Sequence, residues 1–202
     1  MRRRPERRPR RAQILGACDA RALFDTPLLV AATAPPGCEG LLFAPWLNGE
    51  RTPVDDHTIR GGWNNLSLST TRPDLVRSVF EGVAYNSRWL LDTVESFVKR
   101  PLDGLNFIGG GAQSDLWCQM HADVCDRVIR RVAEPQHANS RGAAFVAWLA
   151  LGRRSLDELN KAVTIDEVFH PDPVARATYA PLYREFVKLY KAHKPIHARL
   201  NG

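Results

Sequence analysis

The residues best suited to bind a charged ligand are three consecutive glycines between a predicted strand and a predicted helix. Residues 105–108 have strand character, Gly109–Gly111 follow, and an apolar helical pattern starts at Ser114 or Asp115. Glycine has no Cβ, so its backbone can approach a ligand closely, and a helix N-terminus offers unpaired N–H groups. This arrangement is typical of a site for a phosphorylated ligand. A tight strand-to-helix turn without a ligand is the alternative, and it is the commoner one for a glycine triplet alone.

A second group of polar residues lies in the loop at residues 45–53, directly after a predicted buried strand. Trp46, Asn48, Glu50 and Arg51 combine an aromatic ring, an amide, a carboxylate and a guanidinium with turn-forming neighbours. Loops of this composition often carry function. The alternative is structural, with Glu50 and Arg51 forming a surface ion pair and Trp46 packing in the core.

Several common catalytic motifs are absent from the sequence. No glycine precedes Lys-Ser or Lys-Thr at the spacing of a Walker phosphate loop, and the glycine triplet does not fit the dinucleotide fingerprint. There is no G-x-S-x-G elbow, and the six histidines are scattered. The four cysteines form no CxxC pair and have no histidine at zinc-ligand spacing, so reduced thiols are expected. We therefore assign no catalytic residue and no metal ligand from these motifs.

Three side chains on the helix after the glycines are interpreted as structural. Cys118 and Cys125 are seven residues apart and therefore share one helix face, where small buried apolar residues are the common explanation. His121 is interpreted as a packed or surface histidine rather than a base.

The net charge of +6 of this 202-residue chain is concentrated at its start. Residues 2–11 contain seven arginines and one glutamate, so the remaining body is neutral. A fold that binds nucleic acid would carry basic residues on a folded face, and nucleic acid is therefore not expected as a partner. The arginine-rich segment is interpreted as a disordered appendage, with an anion-binding tail and a transit segment as alternatives. No apolar run reaches the roughly 18 residues that span a bilayer, so a soluble, cytoplasmic protein is expected.

The hydrophobic spacing predicts the elements that must position these residues. The clearest is a helix over residues 72–99, which starts at a capping box formed by Thr71 and Asp74 and stops at Arg100-Pro101. The other predicted elements are a helical piece within residues 12–37, a strand at 40–44, a hairpin-like segment at 54–71, a strand at 105–108, a helix at 114–126, a strand at 127–132, a closely packed helix from 140, a short helix from 155 to a break at 170–173, and a final helix at 174–193. This order indicates an α/β domain with a sheet covered by helices.

The motifs, taken in order, resemble a known family. Residues 61–66, followed after seven residues by residues 74–82, are similar to the second signature of the FGGY carbohydrate kinases. That signature has glycine where Asn65 stands, and asparagine is the residue best able to adopt the left-handed conformation in its place. Other segments resemble the xylulokinase-like branch of the family: residues 48–53, residues 108–112 with Trp117 and Met120, and residues 142–144.

The resemblance implies an actin-like ATPase (ribonuclease H-like) fold, in which ATP and the sugar bind in a cleft between two similar domains. Residues 33–202 resemble the C-terminal half of such a sugar kinase, and residues 1–32 would be a basic extension with a short helix. By their position in the motifs, Gly110, Gly111, Ala112 and Asp115 would bind the adenosine part of ATP; a relative carries asparagine at the last position. Asn48, Glu50 and Arg51 would form a loop on the substrate side.

The implied reaction transfers the γ-phosphoryl group of ATP, with Mg²⁺, to a hydroxyl of a sugar or polyol. Xylulose is the nearest substrate, and ribulose, glycerol and other polyols stay open. The resemblance places the general base, an aspartate, in the N-terminal domain, so we expect no sugar phosphorylation by this chain alone. Three interpretations remain: a kinase module that works with a separately encoded N-terminal half, a non-catalytic fragment that binds nucleotide or a partner, and a nucleic-acid-associated protein that acts through its arginines.

Overall fold

The computed structural model describes residues 20–202, and the side chains of residues 26–202. The arginine-rich segment lies outside the described residues. The helices are α1 (Ala20–Ala31), α2 (Arg72–Val98), α3 (Asp115–Cys125), α4 (Ala138–Ala150), α5 (Leu156–Lys161) and α6 (Pro173–Asn201). The strands are β1 (Leu42–Ala44), β2 (Gly62–Asn64), β3 (Gly104–Phe107), β4 (Val128–Val132) and β5 (Ile165–Phe169).

The strands form two small sheets. β1 pairs antiparallel with β2, so that Leu42 lies opposite Asn64 and Ala44 opposite Gly62. In the second sheet, β4 is the central strand, parallel to β3 and antiparallel to β5. Parallel strands need a crossover, and α3 supplies the one between β3 and β4. The two elements that follow the glycines, α3 and β4, are therefore both attached to the three-stranded sheet.

The long helix α2 begins and ends close to the predicted residues. Thr71 and Asp74 form the predicted capping box, in which the Asp74 carboxylate accepts from the Thr71 N–H at 2.9 Å. The helix ends at Val98, and the next residue, Lys99, has a left-handed φ of 58°. In the middle of α2, Gly82 lets the helix approach β1, because a Cβ on this residue would lie 2.2 Å from the Phe43 carbonyl oxygen.

The larger of two hydrophobic cores joins α2, β1 and the loop that follows β1 to α6. Trp46 is fully buried there, and its ring centroid lies 5.4 Å from that of Phe186 and 5.9 Å from that of Tyr190. The buried α6 residues in this core, spaced as one helix face, are Ala175, Tyr179, Tyr183, Phe186 and Tyr190. The smaller core lies between α3 and the three-stranded sheet and contains Cys118, Ala122, Ile129 and Phe169.

A buried ion pair connects α2 to α6 and to the loop before β1. The Arg77 Nε lies 2.7 Å from the Glu81 carboxylate, and both side chains are almost completely buried. The Tyr179 hydroxyl accepts from Arg77 at 2.9 Å and donates to Glu81 at 2.8 Å, while the Gly37 N–H also donates to Glu81 at 3.0 Å. These hydrogen bonds offset the cost of burying two charges.

The structure corrects three predicted elements. Among the described residues, the segment 54–71 forms no hairpin of its own: it contains one strand, β2, which pairs with β1. The helix that starts at Ser155 ends at Lys161, and β5 occupies residues 165–169, where the sequence predicts that the helix continues. These residues are extended because they pair with β4. The helix predicted from residue 140 exists as α4, but none of its residues is buried, so within residues 20–202 the expected close packing is absent.

Candidate functional site

The glycine turn is a 3-10 helix held at both ends. Gly109 has φ 87° and ψ −174°, and its N–H donates to the Pro135 carbonyl at 2.8 Å. The 3-10 helix spans Gly110–Gln113, and Ser114 then caps α3 by accepting from the Trp117 N–H at 3.2 Å. The predicted start of the helix is confirmed. The turn therefore presents its backbone beside the N-terminus of an 11-residue helix.

The predicted site residues Gly110 and Gly111 face different surroundings. A Cβ on Gly110 would meet no atom within 4 Å, and the residue is exposed. A Cβ on Gly111 would lie 2.6 Å from the Trp117 ring, so this glycine is needed for packing inside the protein. Of these two predicted site residues, Gly110 is therefore the one at which the turn is open to a ligand.

Ala112 and Asp115 also differ in what they offer. Ala112 is fully buried, backbone included, and its carbonyl accepts from the Cys118 thiol at 3.5 Å, so the residue exposes no atom to a ligand. The Asp115 side chain is 70% exposed, and one carboxylate oxygen accepts from the Arg131 guanidinium. Asp115 can therefore touch a ligand while its orientation is fixed from one side.

Arg131, which the sequence analysis did not identify, organises the surroundings of Asp115. Its side chain is 14% exposed and also binds Asp166, at 3.1 Å, and Glu167. Burial alone would lower the pKa of Arg131, but the carboxylates of these three residues outweigh it and raise the pKa. Arg131 ties the N-terminus of α3 to β4 and β5. The sequence could have indicated this cluster, because Arg131 lies in one strand and the acidic pair Asp166 and Glu167 in another. The pairing becomes visible only when residues 165–169 are recognised as a strand.

The charge around this cluster favours a neutral ligand group. Three carboxylates surround one guanidinium, which leaves excess negative charge beside Asp115. Like charges repel, so a phosphate is disfavoured on this side, whereas a neutral group with hydrogen-bond donors is attracted to the carboxylates. The arrangement fits the uncharged part of a nucleotide better than its phosphates.

His121 is packed, as predicted, and is unsuited to proton transfer at neutral pH. Its ring centroid lies 4.5 Å from that of Phe107 and 5.6 Å from that of Trp117. Burial lowers the pKa of His121 to about 4, although its hydrogen bond with the Trp117 carbonyl acts in the opposite direction. The imidazole is therefore neutral at pH 7.

In the loop after β1, Glu50 holds the backbone in shape. One of its oxygens accepts from the N–H groups of Arg51, at 2.8 Å, and Thr52, at 3.1 Å. The other accepts from the Asn86 amide of α2 at 2.9 Å, and Asn86 in turn accepts from the buried Trp46 at 3.0 Å. The packed Trp46 of the structural alternative is confirmed, but within residues 20–202 Glu50 forms no side-chain ion pair with Arg51.

Asn48 and Arg51 are the available side chains of this loop. Both are exposed, and neither side chain has a hydrogen bond or ion pair within the described part of the chain. An amide and a guanidinium of this kind can bind hydroxyl or phosphate oxygens of a ligand. Of the three predicted substrate-side residues, two are thus free to bind and Glu50 positions them.

The turn and the loop are both fixed to α2. The Trp117 indole donates to the Phe80 carbonyl of α2 at 3.2 Å, and Asn86 of α2 binds Glu50. Phe80 and Asn86 are six residues apart, a rise of about 9 Å along the helix. Among residues 26–202, whose side chains are described, no group of three or more His, Cys, Asp or Glu side chains could hold a metal ion.

Sequence comparisons place the chain among sugar kinases. A model of the FGGY family of carbohydrate kinases, C-terminal domain, matches residues 8–151. The chain is 34% identical over 181 residues to the xylulose kinase of Staphylococcus epidermidis, covering 88% of this chain and 36% of that protein. It is 28% identical over 170 residues to the gluconokinase of Bacillus licheniformis, covering 84% of this chain and 33% of that protein. The chain thus spans about a third of the length of these relatives.

Solved structures show the same likeness. The gluconate kinase from Lactobacillus acidophilus matches with a TM-score of 0.77 and 30% identity, covering 87% of this chain and 36% of that one. The ligand-bound xylulose kinase from the same organism matches with a TM-score of 0.76, 30% identity and the same coverage. These matches confirm the predicted fold class, an α/β domain of the actin-like ATPase type. Among the described helices, none is long and apolar enough to cross a membrane.

Proposed function

Because the chain belongs to the FGGY family of carbohydrate kinases, where it matches the C-terminal domain, we propose that it is the nucleotide-binding part of a sugar kinase. The kinase transfers the γ-phosphoryl group of ATP to a hydroxyl of a sugar or polyol. Xylulose is the proposed sugar, since the relatives at 34% and 32% identity are named xylulose kinases. The observation that carries the proposal is the open backbone at Gly110, beside the capped N-terminus of α3.

We assign the adenosine part of ATP to this turn. The Gly110 backbone lies against the ligand, Gly111 and Ala112 hold the turn in shape, and Asp115 accepts a hydrogen bond while Arg131 holds it. The excess negative charge beside Asp115 directs the phosphates away from this cluster. On the substrate side, Asn48 and Arg51 bind oxygen atoms, and Glu50 maintains the loop.

The remaining chemistry belongs to the N-terminal part of the kinase. In this class of reaction, Mg²⁺ binds the phosphates of ATP and neutralises their charge. The general base lies in the N-terminal part as well, so the chain acts together with that part. We also propose a cytoplasmic location, since the three described cysteines are unpaired, and a domain boundary near residue 32.

Nucleotide binding is tested by titrating the chain with MgATP in a calorimeter. We expect binding that weakens by at least about tenfold in Gly110→Arg, because the new side chain fills the open space at the turn. Ala177→Arg is the matched control: it adds the same side chain on an exposed position of α6 and should bind as the wild type does. A folded wild-type chain that does not bind MgATP, or a Gly110→Arg variant with wild-type affinity, would contradict the assignment.

Catalysis is tested separately, by following ADP release from MgATP with xylulose, ribulose, gluconate or glycerol present. We expect no turnover by the chain alone, because positioning and charge stabilisation by the other half of the cleft supply most of the rate enhancement. Turnover above that of a Gly110→Arg preparation would show that the chain is a complete kinase.

A further inference from the structure

Asp56 closes the connection between β1 and β2, the segment that carries Asn48 and Arg51. Its main chain pairs with that of Glu50, since the Glu50 N–H donates to the Asp56 carbonyl at 2.9 Å and the Asp56 N–H donates to the Glu50 carbonyl at 2.8 Å. Gly49, with φ 79°, packs against the same carbonyl, because a Cβ on this glycine would lie 2.8 Å from the oxygen. The position of Asp56 therefore determines where Asn48 and Arg51 lie.

The carboxylate of Asp56 is buried and hydrogen-bonded at both oxygens. One oxygen accepts from the Thr58 N–H at 2.9 Å, the Thr58 hydroxyl at 2.8 Å and the Ile59 N–H at 3.2 Å. The other accepts from the Tyr190 hydroxyl of α6 at 3.0 Å, a contact between residues 134 positions apart. These hydrogen bonds, of which that of the Thr58 hydroxyl has the largest effect, outweigh burial and lower the pKa of Asp56 to about 2. Among these donors, only Tyr190 belongs to another element of the fold.

The Tyr190 ring is fixed by aromatic neighbours, which also fixes its hydroxyl. Its ring centroid lies 5.9 Å from that of Trp46 and 5.4 Å from that of Trp89, and the residue is buried. Tyr183, two turns earlier on the same face of α6, is equally buried, but its hydroxyl donates to Asp92 of α2. The two tyrosines thus share one core, and of the two only Tyr190 binds Asp56.

Two further contacts join α6 to the same connection. His197, seven residues after Tyr190, accepts from the Arg60 N–H at 3.0 Å through its Nδ1. Asn201, one turn later, donates from its side-chain amide to the Thr58 carbonyl at 2.9 Å. Residues at these spacings lie on one face of a helix. Since α2 holds the earlier part of the connection through the Glu50 carboxylate, the segment is attached to both long helices.

We propose that Tyr190 is a positioning residue for sugar binding: its hydroxyl, through Asp56, fixes the backbone from which Asn48 and Arg51 reach the sugar. The proposal rests on the proposed function, which assigns oxygen atoms of the substrate to these two side chains. Both are exposed and have no side-chain partner within the described part of the chain, so the backbone beneath them sets their positions. A loop that is ordered before the ligand arrives binds it more tightly, because less conformational entropy is lost on binding.

Hydrogen exchange of the 202-residue chain, followed by NMR, tests the positioning. In Tyr190→Phe, which keeps the ring, we expect the amides of Glu50 and Asp56 to exchange at least about tenfold faster relative to the Ala84 amide of α2, because a buried carboxylate loses a hydrogen bond. Tyr183→Phe is the matched control, since it removes a buried hydroxyl from the same core and should leave this ratio unchanged. A merely structural role of Tyr190 would instead accelerate all three amides by the same factor.

Titration of the same three proteins with xylulose, followed by the NMR signals of Asn48 and Arg51, tests the consequence for binding. We expect about fivefold weaker binding by Tyr190→Phe and wild-type affinity in Tyr183→Phe. An unchanged ratio of exchange rates, or equal affinities of Tyr190→Phe and the wild type for xylulose, would overturn the proposal. A wild-type chain whose signals do not respond to xylulose would contradict the substrate side of the proposed function instead, and the exchange ratio would still decide whether Tyr190 holds the connection.

Discussion

At the scale of single residues, the environment of His121 has a measurable effect on stability. The unfolded chain binds a proton at this side chain below about pH 6.5, whereas burial lowers the pKa in the folded protein to about 4. Protonation therefore favours the unfolded state in the window between these two values. The stability that the neutral imidazole provides is complete above pH 6.5 and is lost as the pH falls toward 4.

We expect the free energy of unfolding to fall by about 2 kcal/mol between pH 8 and pH 5 on account of His121. His121→Phe keeps an aromatic ring beside Phe107 and Trp117 but cannot bind a proton, so it should lack this component. Urea unfolding at both pH values measures it as the difference between the wild type and the variant. The same pH dependence in both proteins would show that the imidazole does not titrate in this way.

Individual residues were predictable from the sequence where their role is local. Asn65 has the expected left-handed conformation, with φ 67°. Asparagine tolerates this conformation, which the glycine of the family signature adopts readily. Cys118 and Cys125 are buried, as their spacing indicates. The role of Glu50 was missed because its partner Asn86 is 36 positions away, and local sequence does not reveal such a contact.

At the scale of elements, β5 shows where the sequence was misleading. The capping box at Ser155 predicts the start of a helix correctly. The strand that follows is not recognisable from the sequence, because Asp166 and Glu167 are acidic and acidic residues are poor strand formers. They are favourable there because both bind Arg131 from β4. The strand therefore depends on a partner strand, which the local pattern does not contain.

Gly82 sets how closely α2 approaches β1, and we expect Gly82→Ala to destabilise the protein by about 1–3 kcal/mol. The new Cβ would lie 2.2 Å from the Phe43 carbonyl oxygen, which cannot move without breaking up β1. Gly142→Ala is the matched control, since a Cβ there meets no atom within 4 Å, and it should stabilise α4 by up to about 1 kcal/mol. Urea unfolding of the two variants measures both changes in the free energy of unfolding. An unchanged free energy of unfolding in Gly82→Ala would mean that α2 can move away from β1 at no cost.

At the scale of the whole molecule, the folded unit extends beyond the family match. That match ends at residue 151, yet α6 contributes Tyr179, Phe186 and Tyr190 to the larger core. Tyr179 also completes the buried hydrogen bonds of Arg77 and Glu81, so removing α6 would leave two buried charges poorly paired. The domain can therefore be recognised from its first 151 residues but should not be stable with them alone.

We expect a chain truncated after Leu151 to show no cooperative unfolding transition. It lacks β5 and α6. Each buried aromatic side chain that is lost costs about 3–5 kcal/mol, and the sum exceeds the free energy of unfolding of an ordinary domain. A chain truncated after Ala192 keeps Tyr190 and should still unfold cooperatively. Thermal melts followed by circular dichroism distinguish the two, and a cooperative melt of the shorter chain would contradict this account of α6.

The thiol of Cys118 lies beneath the glycine turn, and its rate of alkylation can measure how often the turn opens. Burial raises the pKa of this thiol to about 11, and its Sγ donates to the Ala112 carbonyl. Only the exposed thiolate reacts with an alkylating reagent, so modification must wait until the 3-10 helix lifts away from α3. The alkylation rate of Cys118 therefore reports how often the turn opens, and a bound nucleotide that holds the turn closed would slow it.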